Sequence, residues 1–246
     1  MALWIGTAVA LVLLAAIATA GLTTSRIAQP RAALLALARA ILQLGALSLV
    51  LSGILHDPLW VGIGLAVMFI AAVGTAARRS RSPLLTLASS MLLGPTVAMA
   101  IVFLTGAIEF SPRYVLAIGG IVVGNTMTIA ILTQRVFRTS VRDHWDEVEG
   151  WLALGATPRQ STLDLGRRAI HTALLPSIDQ TRTTGIVVLP GAFIGAIFAG
   201  ASPVEAARFQ VVVLACILTA GVLTAITLTH ISGSLARRPA DEAMSD

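Results

Sequence analysis

The chain has 246 residues, of which 56% are apolar and 12% charged, against roughly 25% charged in a soluble globular protein. Its formal charge of +5 is built without a single lysine, from arginines in short clusters between apolar runs, a pattern of membrane topology and not of nucleic-acid binding. Cys216 is the only cysteine, which excludes an intrachain disulfide and any thiolate cluster for a metal.

The opening MALWIGTAVA has no basic n-region, and Arg26 follows the first apolar run, the reverse of a secretory signal peptide. The first segment is therefore expected to stay as a membrane helix. In chain order, apolar stretches of near-spanning length cover 3–23, 33–55, 59–77, 84–106, 114–136, 183–200 and 210–231, the third and sixth being the shortest. Each suits a bilayer that needs about 17–25 helical residues. The expected fold is all-α, a polytopic membrane helix bundle of about seven transmembrane helices.

Arginine placement orients the bundle. Of the 17 basic residues, only Arg113 and Arg208 fall in the loops after the second, fourth and sixth stretches, at 56–58, 107–113 and 201–208. The rest follow the first, third, fifth and seventh, so that side is cytoplasmic by the positive-inside rule. The N-terminus is expected outside and the C-terminus inside, with a short polar tail over 237–246.

Within the second stretch lie Arg39, expected to snorkel to the interface, and Gln43. The fifth carries Gly119, Gly120, Gly124, Asn125, Thr126 and Thr128. Gly120 and Gly124 form a small-xxx-small face, as do Gly191 and Gly195 in the sixth, and such faces serve static packing or a sliding contact between helices. Polar side chains at membrane depth face other helices or a pathway, so Gln43 and Asn125 are candidates for interhelical hydrogen bonds or for pathway lining. Pro190 and Gly191 are expected to break or kink the sixth helix.

Between the fifth and sixth stretches runs the one sizeable polar segment, with a helical hairpin over about 138–178. Val141, Trp145, Val148 and Leu152 recur at helical spacing, with Asp143, Asp146, Glu147 and Glu149 on the other turns. The helix should end at Gly155, a residue that takes a left-handed cap cheaply. Thr157 as cap, Pro158 at the first position and Gln160 three residues after the cap then start a second helix, with Leu163, Ile170 and Leu174 on one stripe. Such a hairpin suits the membrane interface, or a knob that docks on a cytoplasmic partner through Trp151 and flanking charge.

Several motifs together carry a resemblance. Glu149, Gly155 and Leu175-Pro176 resemble the cytoplasmic coupling motif of ABC transporter permeases, with Gly150 and Trp151 in place of two alanines and a longer gap before Pro176. More specifically, 119–128 (GGIVVGNTMT), 149–158 (EGWLALGATP), Leu189-Pro190-Gly191, 199–203 (AGASP) with Glu205-Ala206, and 38–44 (ARAILQL) resemble, in order, the FetB family of iron-export ABC permeases and its plant relatives linked to aluminium tolerance. The resemblance implies a transmembrane permease domain over 1–236 in a bacterial cell membrane. Two permease copies would work with a separate ATPase subunit, which carries the ATP and Mg, and Glu149, Trp151, Leu152, Gly155, Ala156, Thr157 and Pro158 would meet that ATPase.

A chain without lysine cannot contain the Walker A phosphate loop, so ATP hydrolysis belongs to a partner. No carboxylate or histidine lies securely inside an apolar run: His56, Asp57 and Glu109 fall in loops and His230 at the inner end of the last helix. No dedicated metal cage and no catalytic residue are therefore expected. Iron would cross as a complex or along weak ligands such as Asn125, Thr126, the Met127 carbonyl and Thr128, while Met99 and Met127 offer sulfur or simple packing. An ATP-independent transporter or channel, a membrane scaffold, and an ABC permease for a nucleotide sugar, metal chelate or small amphiphile are the alternatives.

Overall fold

The computed structural model describes residues 2–25, 32–54 and 57–234, which form helices and short connections. Arg26, Arg31, His56, Arg237, Arg238 and the polar tail lie outside the described residues. Residues 1–56 and 57–246 make two compact units. In the first, α1 (Ala2–Thr24) packs against α2 (Ala32–Ile54), and both leave aliphatic side chains such as Ile17 and Leu42 exposed. Outward-facing leucine and isoleucine is the pattern of helices solvated by lipid.

The second unit contains α3 (Pro58–Ser80), α4 (Leu84–Leu104), α5 (Pro112–Asp143), α6 (Trp145–Ala153), α7 (Pro158–Ser161), α8 (Leu163–Thr183), α9 (Gly191–Phe198) and α10 (Pro203–Ser232). One local rule starts four of them. Asp57, Ser111, Thr157 and Ser202 each place a side-chain oxygen on an orphan N–H, and a proline follows at the first helical position. Their backbones are thus committed before any tertiary contact forms.

Small residues set the packing. Gly94 of α4 lies against the backbone carbonyl of Ala220 in α10, Ser90 accepts a hydrogen bond from Thr224 at 3.1 Å, and the Cys216 sulfur approaches the Ala98 carbonyl at 4.0 Å. Each step forward on α4 meets a step back on α10, so the two run antiparallel in fixed register. On α5, Gly119 sits under Leu65 and Gly120 under Met68 of α3, while the arginines nearer its end reach the end of α3, so α3 and α5 run parallel.

Arg135 donates through Nε and Nη2 to the Arg79 carbonyl, and Arg138 donates to the carbonyls of Ser80 and Arg81 at 3.0 and 2.9 Å. These guanidinium groups satisfy the orphan carbonyls where α3 ends, at Arg81 with φ 50°, and complement the negative end of its dipole. Arg78, Arg79, Arg81, Arg135 and Arg138 therefore meet at one end of the bundle. Ile108, Glu109, Tyr114, Glu205 and Arg208 surround a cleft at the opposite end.

Five described helices (α1, α3, α4, α5 and α10) are long and apolar enough to cross a membrane, and α2 adds an apolar helix whose described span is Ala32–Ser48. The all-helical, polytopic fold is as expected, but the sixth stretch is not one helix. Residues 184–190 form a turn in which Thr184 bridges Val188, Gly185 has φ +86° and Pro190 precedes the eight-residue α9. Apolar composition over 183–200 hid a backbone that glycine and proline break.

The helix that enters the bundle ahead of this turn is α8. Thr162 meets Gly233, Gly166 meets Thr229, and Leu174 meets Gly221, so α8 runs antiparallel to α10 one residue for one. It buries Leu165, Gly166, Ala169, Ala173 and Leu174 against α5 and α10, whereas Leu163, expected on that stripe, is 50% exposed. At about 1.5 Å per residue its 21 residues reach roughly 31 Å, and by this register its end at Thr183 comes level with Val212, part of the way along α10. The expected second arm of the hairpin is therefore a helix of the bundle, and Arg182, assigned above to the arginine-rich loops, stands at its far end.

Candidate functional site

What remains outside the bundle is a short hairpin, α6 and α7, between the ends of α5 and α8. Trp145, Val148 and Leu152 turn inward onto Phe137, Val141, Leu165 and Ala169, which anchors α6 to both long helices. The helix breaks from α5 at His144 instead of running unbroken from Val141. Its end is the glycine cap expected from the sequence: Gly155 has φ +91°, its N–H bonds the Leu152 carbonyl, and the Ala156 N–H bonds the Trp151 carbonyl, both at 3.0 Å.

Thr157 and Gln160 then form a reciprocal capping box, with the Thr157 N–H bound to the Gln160 side-chain oxygen at 2.8 Å. The following helix is interrupted at Thr162, whose hydroxyl lies 2.9 Å from the Pro158 carbonyl and 3.4 Å from that of Gly233. Thr157→Ala removes the cap and is expected to cost about 1 kcal/mol locally. Faster amide exchange confined to 155–162 checks this; unchanged exchange there would show that the cap does not hold the elbow.

The outward surface of the hairpin is apolar at its tip and acidic around it. Trp151 is 53% and Leu154 82% exposed, and Glu147, Trp151, Leu154, Gly155 and Ala156 border one groove with Gln160 and Asp164. Glu149 is exposed, Leu152 is half-buried on the inner side, and Pro158 is half-buried at the start of α7. An exposed tryptophan beside leucine and carboxylates on a rigid elbow has the composition of a protein docking surface.

The membrane candidates separate into three groups. Gly119 is buried and Gly120 half-buried in close contact with α3, and Thr126 is buried with no hydrogen-bond partner for its hydroxyl. Gly124, Gly191 and Gly195 face open space, so the Gly191–Gly195 face is not packed within the chain and the Gly120–Gly124 face is packed only at Gly120. Met127 packs in the core and the Met99 methyl lies beside Gly119, which makes packing their use here. Asn125 is half-buried with its amide donating to the Ile121 carbonyl at 2.9 Å, and Thr128 is exposed and bonds back to Gly124 at 3.3 Å. Pro190 lies just before α9, and Gln43 is exposed on α2 in the other unit.

The sequence does not single out Asp179, and it groups Arg182 with the loop arginines. Continuing the α8 register past Leu174 puts Asp179 level with Cys216, which lies near the midpoint of α10 and packs in the cluster that includes Val122 of α5. Asp179 and Arg182 form an ion pair at 3.5 Å with side chains 61% and 74% exposed on the side of α8 away from its neighbours. A charge at membrane depth costs about 2.5–3.5 kcal/mol against lipid, which disfavours hydrocarbon against such a face. The signal was the spacing of Gly166, Ala169 and Ala173, which marks a close-packed helix despite low mean hydropathy. No group of three or more His, Cys, Asp or Glu that could hold a metal occurs among the described residues.

A family model described as Uncharacterised protein family (UPF0014) matches residues 4–235. The chain is 38% identical over 213 residues to UPF0014 membrane protein STAR2 of Oryza sativa subsp. japonica, covering 85% of this chain and 75% of that protein. It is 37% identical over 198 residues to Protein ALUMINUM SENSITIVE 3 of Arabidopsis thaliana, covering 78% and 72%. It is 34% identical over 173 residues to Probable iron export permease protein FetB of Escherichia coli (strain K12), covering 68% and 67%. No solved structure gives a significant match.

Proposed function

The chain belongs to the UPF0014 family of membrane proteins, and from that premise we propose that it is the permease subunit of an ABC transporter that exports iron or another metal across a bacterial inner membrane. Two copies assemble in the bilayer with two copies of a cytoplasmic ATPase, which binds ATP and Mg. The observation that carries the reading is the hairpin: an exposed Trp151–Leu154 tip, held by the Gly155 elbow, at the arginine-bearing end of the bundle. The N-terminus lies outside and the hairpin inside, where the positive-inside rule puts the arginines.

Glu149, Trp151, Leu152, Gly155, Ala156, Thr157 and Pro158 form the coupling element. Side chains on its outer surface touch the ATPase, and Leu152 on its inner surface hands the motion to α5 and α8 through the Phe137 cluster. ATP binding moves the hairpin, and the helices bearing Gly124, Asn125 and Pro190 reorient. Asn125 and Thr128 border the route, while Gly119, Gly120 and Thr126 are packing positions that hold α5 in place.

Co-expression with the ATPase, purification of the complex and iron efflux from proteoliposomes test the reading. A stable complex, with transport that needs ATP and is lost when the phosphate-loop lysine of the ATPase is changed, is the expected result. Transport that persists without the ATPase would make the chain an ATP-independent transporter. An assembled complex that moves no metal would leave the cargo or the transport role wrong.

A further inference from the structure

Three features of α8 point the same way. Its neighbour-facing side is a close-packed ridge of Gly166, Ala169, Ala173 and Leu174, while its other side carries the exposed Asp179–Arg182 pair, which the register with α10 puts level with Cys216 and Val213. Pro176, inside the helix, contributes no N–H, so the Thr172 carbonyl on the same outward side loses its intrahelical donor. The helix then gives way at 184–190 to a turn with exposed backbone neighbours, Ile186 and Val187 being 88% and 77% exposed. Ionic side chains, a released carbonyl and non-helical backbone at bilayer depth are tolerated only where protein or water covers them. Within this unit α5 and α10 occupy the other side of α8.

We infer that the outward face of α8 over 172–183 lines the aqueous passage for cargo between two copies of the chain, with the Asp179 carboxylate as its contact for a hard divalent cation. This rests on the permease reading above and adds the ligand to it. Carboxylate oxygen is the donor such cations prefer, and the Thr172 carbonyl and the Thr183 hydroxyl extend the oxygen set along the same face. Arg182 neutralises Asp179 in the empty state, so the site carries no net charge until a cation displaces the guanidinium. A single carboxylate per copy makes the contact weak, which suits passage: binding must be favourable enough to enter and loose enough to leave.

The test is labelling of single-cysteine variants in membranes, with Cys216→Ser as background and a water-soluble thiol reagent as probe. Thr183→Cys is expected to react, and Ile70→Cys, 69% exposed on α3, is expected to be silent as a lipid-facing control. Co²⁺ should slow labelling at Thr183→Cys, and adding Asp179→Asn should abolish that protection. A Thr183→Cys no more reactive than Ile70→Cys overturns the aqueous face, and Co²⁺ protection that survives Asp179→Asn overturns the ligand. Both readouts need neither the ATPase nor net transport. They fail independently of the ABC assignment, which the co-purification above decides.

Discussion

Gly94→Leu is expected to do the greatest structural damage of any single exchange in this protein. At Gly94 the neighbour is backbone, the Ala220 carbonyl, with the Thr224 hydroxyl alongside, so no side chain can rotate away to make room. A leucine there must push α4 and α10 apart along the seam that also holds Ser90 to Thr224. Overpacking typically costs about 1–3 kcal/mol and more where the backbone has to move. The seam recurs along two long helices, so the expected outcome is a sharp fall in melting temperature in detergent and loss of the monodisperse species. Gly62→Ala, on α3 where an added methyl meets nothing within 4 Å, is the matched control and should behave like the parent. A Gly94→Leu protein that melts with the parent would mean that the α4–α10 seam does not hold the bundle.

The second large effect is expected at Gly155. Proline fixes φ near −65°, whereas Gly155 has φ +91° and donates to Leu152, so Gly155→Pro removes both the cap geometry and a hydrogen bond. The elbow must then open, carrying Trp151 and Leu154 off their positions, while the transmembrane helices keep their own contacts. ATPase stimulation and efflux should therefore be lost with normal insertion and an unchanged bundle melt. Gly155→Ala, which can still visit a left-handed conformation at roughly 1 kcal/mol, should be intermediate. Trp151→Ala leaves the elbow intact and removes only the exposed aromatic, and a loss of about 2 kcal/mol or more in ATPase affinity is expected if it is an anchor. Parent-like coupling in both Gly155→Pro and Trp151→Ala would remove the hairpin from the mechanism.

Local chemistry was legible in the sequence wherever a short segment decides its own conformation. The Gly155 cap, the Thr157–Gln160 capping box and the inward face made by Val141, Trp145, Val148 and Leu152 all follow from spacing and side-chain type. What composition could not reveal was how α8 is used. Arg167, Arg168, Asp179 and Arg182 lower its average until it resembles a surface helix, yet the small residues on its other side determine where it packs. At 183–200 the break expected at Pro190 and Gly191 is present, while the turn at Gly185 was concealed by the continuous apolar run. The glycine pairs misled for a related reason: Gly120 packs and Gly124 does not, because a one-turn step along α5 leaves the shadow of Met68.

The two flanks of α10 are built differently. Along α4 the contact is main chain against glycine, whereas along α8 the atoms closest to the Cβ position of Gly166 are side-chain carbons of Phe137 and Thr229 at 3.7 Å, an ordinary touching distance. The α4 flank is thus the closer fitted of the two at these glycines. The α8 helix begins one residue after Thr162, at the foot of the hairpin, and its far half bears the exposed Asp179–Arg182 pair. On the coupling role proposed above, a push on the hairpin would pass along the axis of α8 toward Asp179 while α4 and α10 keep their register.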